Sequence, residues 1–552
     1  MDALARAAGI HRLAARVLIK RGVSDARAAR LFLDPCLADL HHPSLLTGVA
    51  EAAARLRRAT ESGEKILLYG DYDVDGTMSI VILKTAIELA GGKAQFHIPH
   101  RLKDGYGMRP EVVERAAAEG VTLIVSVDTG IRAGEVVRHA ASLGIDVIVT
   151  DHHLPEAELP PAAAVLNPNR PDCRYPEKNL CGAGVVLKLS EALLGLLGWP
   201  EERRLRLVTS FLKLAAIATV ADVVPLTGEN RTIVKLGLQG LADPRAAGLR
   251  AILEVAGIEP GTAPTARQVA FQVAPRLNAA GRMATASRVI ELMLAADPAV
   301  ARRIAAELDA FNRERQKEES EIVESILREC DRAPVTDADA ALVFSGPGWH
   351  RGVLGIVASR IVERFSRPVF VLGEDAESGE AHGSGRSVPP FHLLEALEAM
   401  PDLFTRFGGH RQAAGVSLPL ERVDDFRGRL AEYARERLSP EDFRPVLEFD
   451  AEVTLAEIDD DSVAGVLRLE PFGFGNPMPL FALLGAEVAE EPAVFKEKHL
   501  RVRLKQERRS LIVKGWNFAQ QAAPLRPGAR VDAALTFTSP WSATLRALKR
   551  GQ

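Results

Sequence analysis

Three aspartates alternate along a short segment near the start of the chain. Asp71, Asp73 and Asp75 follow the apolar run 66–69, which predicts a buried strand, and they end at Gly76. The point where a strand opens into a loop is the usual position of a site in an open α/β sheet. Carboxylates this close repel one another and raise one another's pKa. A divalent cation is the simplest group that would offset this repulsion, so the segment predicts a metal site.

Two later apolar runs also end in potential ligands. Run 121–127 is followed by Asp128, and run 145–150 leads through Asp151 into His152 and His153. Stretches with helical patterning separate the strands, at 79–90, 110–119 and 132–143. This alternation is typical of a parallel sheet with crossover helices, in which the carboxyl ends of the strands share one edge. The sequence therefore predicts that these acids and imidazoles converge.

A further acid, Asp222, lies in the run 218–225 and completes an oxygen-rich ligand set with some nitrogen. Such a set suits Mn²⁺ or Mg²⁺ better than a thiolate zinc site. Two ions roughly 3.5–4 Å apart that share one carboxylate would form a clamp for in-line attack on a phosphate ester. Each aspartate alone is read equally well as a helix N-cap. It is much less expected that all of these acids and histidines serve only as helix caps and as polar groups of the core.

Several motifs follow one another in a fixed order from about Ile66 to the C-terminus. They are DYDVDG (71–76), DTG (128–130), DHH (151–153), GAGV (182–185), AIATVAD (216–222), PRLNAAGR (275–282), GWHRGVLGIVA (348–358) and GGHRQAAG (408–415). The ordered set resembles the DHH phosphoesterase superfamily and, within it, the RecJ-type single-strand-specific 5′→3′ DNA exonucleases of bacteria. The DHH triplet alone would be a weak signal.

The resemblance implies roles for individual residues. The implied metal ligands are Asp71, Asp73, Asp75, Asp128, His152 and Asp222, with Asp71 either a ligand or an acceptor behind the ligands. Asp128 is implied to bridge two Mn²⁺ or Mg²⁺ ions, His153 to contact the substrate or transition state, and His350 to bind the scissile phosphate. The chain departs from the family at Tyr69, where a histidine is common, which leaves the coordination of the first metal open.

A pocket for the terminal 5′-phosphate is also implied by the resemblance. Its residues would be Arg101, Arg276, Ser384 and Arg386, and His410 joins the glycine-rich turns of the same substrate domain. Arginine suits this task because its planar fork binds phosphate oxygens bidentately. Each of these arginines taken singly is more commonly part of a surface ion pair.

The predicted fold class is α/β with a C-terminal β-barrel. The predicted parts are a helical region (1–63), the DHH metal domain with its parallel sheet (64–228), a helical region with a long connecting helix at 301–330 (229–330), a second α/β domain of the DHHA1 type (331–443) and an OB-type barrel (444–552). The barrel is predicted from short alternating runs at 446–453, 481–489, 500–504, 510–513, 531–537 and 543–547.

One basic strand of this barrel is a candidate surface for single-stranded DNA. Residues 496–509 hold seven Lys or Arg against two Glu, and Arg501, Arg503 and Lys505 alternate with apolar residues along one face. A groove that tracks a phosphate backbone has this character, although a solvated strand face has it too. Possible stacking platforms, each equally well explained by core packing, are Phe495, Trp516, Phe518 and Trp541.

Composition sets broad limits on the function. The 552 residues, 47% of them hydrophobic, predict two to four globular domains. The chain shows no membrane-span or signal-peptide pattern, and its four cysteines lack zinc-ribbon spacing, so we expect reduced thiols and a cytoplasmic location. The net charge of −4 argues only mildly against a nucleic-acid substrate, because about five acids are assigned to metals. A helicase and a single-strand-binding protein are possible partners.

Other functions compete with a 5′→3′ exonuclease of repair and recombination. The nearest is a DHH phosphodiesterase that cleaves cyclic dinucleotides or very short RNA, but these enzymes generally lack the barrel. An inorganic pyrophosphatase is disfavoured by the length and by the arginine-rich later segments. A scaffold that has lost its metal ligands is disfavoured because the acids and both histidines are present.

Overall fold

Three β-sheets organise the chain. The computed structural model describes residues 1–101, 104–105, 107–444, 446–539 and 542–550. The sheets follow one another along the sequence. No helix within these ranges is long and apolar enough to cross a membrane.

The first sheet is parallel throughout, which confirms the sequence-based prediction. Four helices precede it: α1 (Asp2–Ala8), α2 (Arg12–Lys20), α3 (Ala26–Leu33) and α4 (Val49–Glu61). The sheet is built from β1 (Lys65–Tyr69), α5 (Val74–Leu89), β2 (Lys93–His97), α6 (Pro110–Ala118), β3 (Leu123–Val127), α7 (Gly134–Ser142), β4 (Asp146–Thr150) and β5 (Ala164–Leu166). Its order is β2-β1-β3-β4-β5. The carboxyl ends of β1, β3 and β4 therefore meet at one edge.

Helix α5 begins earlier than the predicted stretch 79–90. Asp73 caps it by accepting a 3.0 Å hydrogen bond from the Gly76 amide, so the helix starts at Val74. Asp75 consequently lies in the first helical turn, and its side chain is almost fully buried. A Cβ at position 76 would lie 2.6 Å from the Asp71 carbonyl oxygen, which explains the glycine at that point of the motif.

A helical layer follows the first sheet and shares its hydrophobic core. It comprises α8 (Gly182–Gly195), α9 (Glu201–Ala221), α10 (Gly228–Gly240), α11 (Ala247–Val255), α12 (Ala266–Gln268), a π-helical turn (Val269–Val273), α13 (Ala274–Met283), α14 (Ser287–Leu294) and α15 (Pro298–Arg332). The 35 residues of α15 confirm the predicted connecting helix.

The second sheet belongs to another α/β unit, again as predicted. Its elements are β6 (Leu342–Pro347), α16 (Leu354–Phe365), β7 (Val369–Asp375), β8 (Glu380–Arg386), α17 (Leu393–Glu398), β9 (Arg406–Gly409), β10 (Ala413–Pro419) and α18 (Val423–Arg435). The order is β6-β7-β8-β10-β9, in which only β6 and β7 pair in parallel among the described residues.

The third sheet closes into the predicted barrel. Its elements are β11 (Ala451–Glu452), α19 (Asp460–Leu467), β12 (Phe481–Val488), β13 (Ala493–Phe495), β14 (His499–Gln506), β15 (Arg509–Gly515), β16 (Arg530–Ser539) and β17 (Ser542–Arg550). A pairing between β12 and β14 completes the closure. The predicted strand at 446–453 is mostly wrong: Val446 and Leu447 are exposed, and only β11 forms there.

The N-terminal helices do not pack together as one unit. Helices α1, α2 and α3 contribute side chains such as Leu13 and Leu18 to the core of the barrel, whereas α4 packs Leu56 into the core of the first sheet. The two ends of the chain therefore share a hydrophobic core. Amphipathic patterning predicts that a helix has an apolar face, but it does not identify the surface which that face covers.

A fully buried ion pair connects α8 with α10. Lys188 Nζ lies 2.8 Å from Glu229 Oε1, and both side chains are inaccessible to solvent. Tyr175 donates a 2.6 Å hydrogen bond to Glu229 Oε2, and the His41 amide donates to Oε1. Lys188 also donates to the His41 carbonyl. The pair thus anchors the segment before α4 onto α8 and α10.

Replacing Lys188 with methionine should destabilise the protein by about 3–5 kcal/mol, because Glu229 would remain buried without its counter-charge. The urea midpoint of unfolding measures this loss. The matched change Lys317→Met removes a partner from the exposed Lys317–Glu321 pair and should shift stability by less than about 0.5 kcal/mol. Equal midpoints for both variants would contradict an anchoring role for the buried pair.

Candidate active site

The carboxyl edge of the first sheet gathers the predicted ligands. Asp71 and Asp73 follow β1, and Asp128 follows β3 with its amide bonded to the Thr150 carbonyl of β4 at 2.9 Å. Ligand atoms of these three aspartates lie within 4.8 Å of one another. Asp128 adopts φ 59°, a left-handed conformation that aspartate tolerates better than most residues. The chain therefore turns sharply directly after β3.

A second ligand group lies beside the first. It consists of Asp75, His152 and Asp222, whose ligand atoms also lie within 4.8 Å of one another. His152 Nε2 is 3.7 Å from Asp75 Oδ2, 3.7 Å from Asp222 Oδ2 and 3.2 Å from Asp128 Oδ1. Asp128 also forms a group with His152 and His153. Asp128 therefore lies between two candidate cation positions.

Helix termini position two of these acids. The Gly182 and Ala183 amides, at the start of α8, donate hydrogen bonds of 2.6 and 2.8 Å to the two oxygens of Asp75. This helix N-terminus stabilises the negative charge. Asp222 follows the last residue of α9 and bonds through its amide to the Ala218 carbonyl. A Cβ at position 182 would lie 2.7 Å from the Asp128 Cβ, so only glycine fits there.

The buried carboxylates of this cluster repel one another, and a positive charge would offset this repulsion. Burial, followed by repulsion from neighbouring carboxylates, raises the pKa of Asp71, Asp73 and Asp128, and raises the pKa of Asp222 to about 9. Burial also lowers the pKa of His152 and favours the neutral imidazole that binds metals.

Several buried atoms of the cluster have no hydrogen-bond partner among the described residues. They are Asp71 Oδ1, His152 Nε2 and Asp222 Oδ2. Buried polar atoms are rarely left in this state unless an ion or water completes them. Five carboxylates with two imidazoles form a hard, oxygen-rich ligand set that suits Mn²⁺ or Mg²⁺. The residues present therefore fit a divalent-cation centre.

Sequence reasoning missed Asp151 as a member of the site. This fully buried carboxylate accepts hydrogen bonds from the amides of Ile131, His152 and His153, and from His153 Nδ1 at 2.7 Å. Although burial opposes ionisation, the bonds from His153 hold the pKa of Asp151 below its ordinary value, while Asp151 raises the pKa of His153 against the effect of burial. Asp151 thus orients His153, and its position in the DHH triplet was the available signal.

Tyr69 does not lie among the ligand groups. Its side chain is buried, its hydroxyl donates to the Gly107 carbonyl at 3.1 Å, and its ring packs 5.1 Å from that of His97. Burial raises the pKa of Tyr69 to about 12, so the phenol stays neutral. The first ligand group is formed by the three carboxylates without this residue.

A cluster of arginines lies next to the first ligand group. Arg101 stacks 4.7 Å from the Tyr72 ring centre, and its positive charge favours ionisation of Asp71 and Asp73. Burial and then the charge of Arg101 lower the pKa of Arg386, which donates to Ser384 Oγ at 3.0 Å. Three of the four residues predicted for a phosphate pocket therefore lie together.

Arg276, the fourth residue predicted for the pocket, is engaged in an ion pair. Its Nε donates to Asp309 at 2.8 Å, and Nη1 donates to the Gln272 carbonyl. The position near Arg101 and Arg386 is taken instead by Arg282, from the end of the same motif. Burial and then these two like charges lower the pKa of Arg282 to about 9.

Two histidines of the second unit face the same region. His350 Nδ1 accepts from the Gly352 amide at 3.1 Å, and Arg282 donates to the Gly352 carbonyl at 2.9 Å. His410 lines a cavity of about 1140 Å³ together with His152 and His153. Burial, then the charges of Arg132 and His153, lower the pKa of His410. The other lining residues of this cavity belong to the chain between Gly107 and Val224, so His410 reaches the first α/β unit from the second.

The motif PRLNAAGR also shapes the centre through Asn278, which sequence reasoning did not single out. Asn278 Oδ1 accepts from the Val74 amide at 3.1 Å, at the start of α5. A Cβ at Gly281 would lie 2.5 Å from the Tyr72 carbonyl oxygen. Helix α13 therefore supports the backbone between Tyr72 and Val74.

The basic strand of the barrel has the predicted alternation. Val502 and Leu504 are buried, whereas Arg501 and Lys505 are exposed and Arg503 is partly exposed. Arg503 forms a 3.2 Å ion pair with Glu490. Among the aromatic candidates, Phe495 and Trp516 pack near His499 with centroid distances of 5.2 and 4.7 Å, and Phe518 packs against the barrel core. Trp541 lies outside the described residues.

Comparisons with known proteins identify the family. The chain matches the models of the DHH family N-terminal domain over residues 65–219, the DHHA1 domain over 338–436 and the RecJ OB domain over 449–539. It is 40% identical over 521 residues to the single-stranded-DNA-specific exonuclease RecJ of Bacillus subtilis, covering 94% of this chain and 65% of that protein. The RecJ of Dickeya dadantii is 39% identical over 500 residues, covering 88% of this chain and 85% of the relative.

Solved structures agree with this relationship. The crystal structure of Thermus thermophilus RecJ in complex with Mn²⁺ superposes with a TM-score of 0.84 at 33% identity and covers 100% of this chain and 77% of that one. An exonuclease RecJ bound to manganese gives a TM-score of 0.64 at 37% identity, over 74% of this chain and 98% of that one. By these matches in sequence and in structure, the chain belongs to the RecJ family of DHH-domain proteins.

Proposed function

We propose that this chain is a single-stranded-DNA-specific 5′→3′ exonuclease that hydrolyses phosphodiester bonds, releases nucleotides and serves DNA repair and recombination. The observation that carries the proposal is the pair of ligand groups that meet at Asp128 beside the cluster of Arg101, Arg282 and Arg386. Such a site combines a centre for cleaving a phosphate ester with a pocket for a terminal phosphate. The names of the RecJ relatives describe single-stranded-DNA-specific exonucleases, which supports the proposal.

Two Mn²⁺ or Mg²⁺ ions are the proposed cofactors. One would be held by Asp71, Asp73 and Asp128, and the other by Asp75, His152 and Asp222, with Asp128 contacting both. When bound, such ions polarise the phosphoryl group and lower the pKa of water. RecJ crystal structures are described in complex with either metal.

The protein's own side chains would orient the substrate. His153 is fixed through Nδ1 by Asp151, and its raised pKa favours a protonated ring that donates to a phosphate oxygen. His350 is the proposed ligand of the scissile phosphate. His410, across the cavity from His153, would contact the same nucleotide.

The proposed pocket for the 5′-phosphate consists of Arg101, Ser384 and Arg386, with Arg282 in the place first given to Arg276. Burial, and then the charges of neighbouring arginines, lower the pKa of Arg282 and Arg386, and a dianionic phosphate would relieve this repulsion. This pocket would fix the distance from the chain end to the cleaved bond, which is the basis of exonuclease action.

The barrel would hold the single strand beyond the active site. Arg501, Arg503 and Lys505 offer charge to the phosphates, and the exposed Trp516 offers an aromatic face to the bases. A duplex must be opened before it can supply such a strand, so a helicase and a single-strand-binding protein are the proposed partners. The cytoplasm is the proposed compartment because the four cysteines are all free thiols.

A time course on end-labelled DNA tests the function. With Mn²⁺, the protein should shorten a 5′-phosphorylated single strand from its 5′ end and should leave blunt duplex and cyclic dinucleotides essentially uncut. Faster cleavage of a cyclic dinucleotide than of the single strand would instead support the competing phosphodiesterase function.

Changing Asp128 to Asn should lower turnover by more than about 10²-fold, because the carboxylate between the two ligand groups loses its charge. Asparagine tolerates the left-handed backbone at this position, so the turn should persist. Mn²⁺ should also raise the melting temperature of the wild type more than that of the variant.

The matched change Asp425→Asn alters an exposed ion pair with Arg422. It should leave both the turnover and the rise in melting temperature with Mn²⁺ unchanged. Near-normal turnover of the Asp128 variant in Mn²⁺ would contradict a shared ligand.

Changing Arg386 to Ala should reduce the preference for 5′-phosphate over 5′-hydroxyl ends by about tenfold, equivalent to one charge-assisted hydrogen bond. The ratio of kcat/KM on the two ends measures this preference. Arg386→Lys should restore it only in part, because lysine lacks the planar fork. Arg429→Ala, which breaks an exposed pair with Asp402 in the same unit, is the control. An unchanged ratio would exclude Arg386 from binding the end.

A further inference from the structure

A second cavity, of about 680 Å³, is lined by residues that flank Asp222 in the sequence and by none of the arginine cluster. We call it the Phe271–Phe474 cavity. Its walls are Val223 and Val224 from the α9–α10 connection, Phe271 from the π-helical turn, and Phe472 and Phe474 from the loop that precedes β12. The cavity therefore begins directly beside a proposed metal ligand and ends at the segment that belongs to the barrel.

Exposed aromatic rings line this cavity. Phe271 is 73% exposed and Phe474 is 60% exposed, although both side chains are large and apolar. Val223 is 62% exposed and adopts φ 61°, a conformation that a β-branched residue rarely takes. Apolar side chains grouped at a surface in this way mark a binding site rather than part of the core.

The loop that carries Phe474 is held firmly in place. Arg231 donates hydrogen bonds to the carbonyls of Leu469, Glu470 and Pro471, and the buried Asn476 donates to two of the same carbonyls. The Leu226 amide donates to the Phe474 carbonyl at 2.7 Å. The backbone that carries Phe474 is therefore held in place before any ligand arrives, which lowers the entropic cost of ordering the loop on binding.

Cationic side chains accompany the rings. Arg267 lies with its guanidinium carbon 5.8 Å from the Phe271 ring centre, and Lys235 also lines the cavity. Arg546 of β17 is close enough that burial and then the charge of Arg267 lower its pKa. Aromatic faces interleaved with positive charge suit single-stranded nucleic acid, in which bases stack and phosphates pair with cations.

The position of the cavity indicates which part of the strand it would hold. The arginine cluster lies beside Asp71 and Asp73, where the 5′-phosphate is proposed to bind. The cavity instead is lined by Val223 and Val224, which follow Asp222 of the other ligand group, and by the loop that precedes β12 of the barrel. A strand with its 5′ end in the arginine cluster would pass the metal centre and then enter this cavity.

We propose that the Phe271–Phe474 cavity binds nucleobases of the single strand on the 3′ side of the scissile phosphate. Phe271 and Phe474 are the stacking platforms, and Arg267 pairs with the adjoining backbone phosphate. This inference rests on the proposed exonuclease function and assigns it a base-binding subsite between the metal centre and the barrel.

An abasic scan tests the subsite. Binding of 5′-phosphorylated 12-nucleotide strands is measured by fluorescence anisotropy in EDTA, with one abasic residue placed at each position from the second to the eighth. The wild type should lose roughly 5- to 100-fold in affinity at one or two neighbouring positions. Phe271→Ala and Phe474→Ala should each weaken the intact strand to a similar degree and abolish the loss at the matched position.

Two further variants sharpen the test. Phe449→Ala is the control: this exposed ring also lies 6.0 Å from a cation, Lys20 Nζ, but it does not line the cavity. The variant should give the same abasic scan as the wild type. Arg267→Ala should reduce the slope of log affinity against log salt by about 0.7, the value for one phosphate contact on a single strand.

The outcomes separate this inference from the function on which it rests. Normal degradation of single strands in Mn²⁺ with a scan that neither phenylalanine alters would overturn the subsite and leave the exonuclease intact. A scan that depends on the rings, without degradation, would support the subsite and overturn the exonuclease. Absence of single-strand binding would overturn both, and would leave the cavity as a surface for a protein partner.

Discussion

Repulsion among buried carboxylates is the constraint on which the rest of this structure depends. Asp71, Asp73, Asp75, Asp128 and Asp222 lie within two adjoining groups, and most of their pKa values are raised by burial and by one another. A chain gathers such charges only if its scaffold prevents them from moving apart. Here the scaffold is a parallel sheet whose strand ends cannot separate, together with the α8 N-terminus that binds Asp75.

The sequence predicted the elements that depend on local patterning. Apolar runs predicted β1, β3 and β4, and a parallel sheet requires their carboxyl ends to meet, so the patterning alone predicts that Asp128 and His152 lie close together. Helix α5 was placed late because its start depends on a cap by Asp73 and on support from Asn278, 204 residues away. Contacts of this range leave no periodic signal in a sequence.

Long-range contacts also explain why the structure differs from the sequence-based prediction at the phosphate pocket and at the first predicted strand of the barrel. Residues Arg276 and Arg282 are equivalent by type within one motif, and only the packing of α13 against α15 decides which arginine is taken by Asp309. The run 446–453 has the alternation of a strand, but most of it gains no partner, so Val446 stays exposed. Phe271 has no distinguishing pattern in the sequence, and it lies exposed on a π-helical turn, which local patterning does not predict.

Coupling between the barrel and the metal centre follows from a single buried guanidinium. Arg231, on α10, donates to carbonyls at the start of the loop before β12, and also to the Phe32 carbonyl at the end of α3. Burial lowers the pKa of Arg231 to about 9, which leaves it largely charged near neutral pH. One side chain on α10 thus contacts both α3 and the loop before β12, two segments that adjoin the core of the barrel. These hydrogen bonds fix the loop before β12 and the end of α3 to α10. In the proposed function, this contact would set the distance between the basic strand of the barrel and the ligand groups.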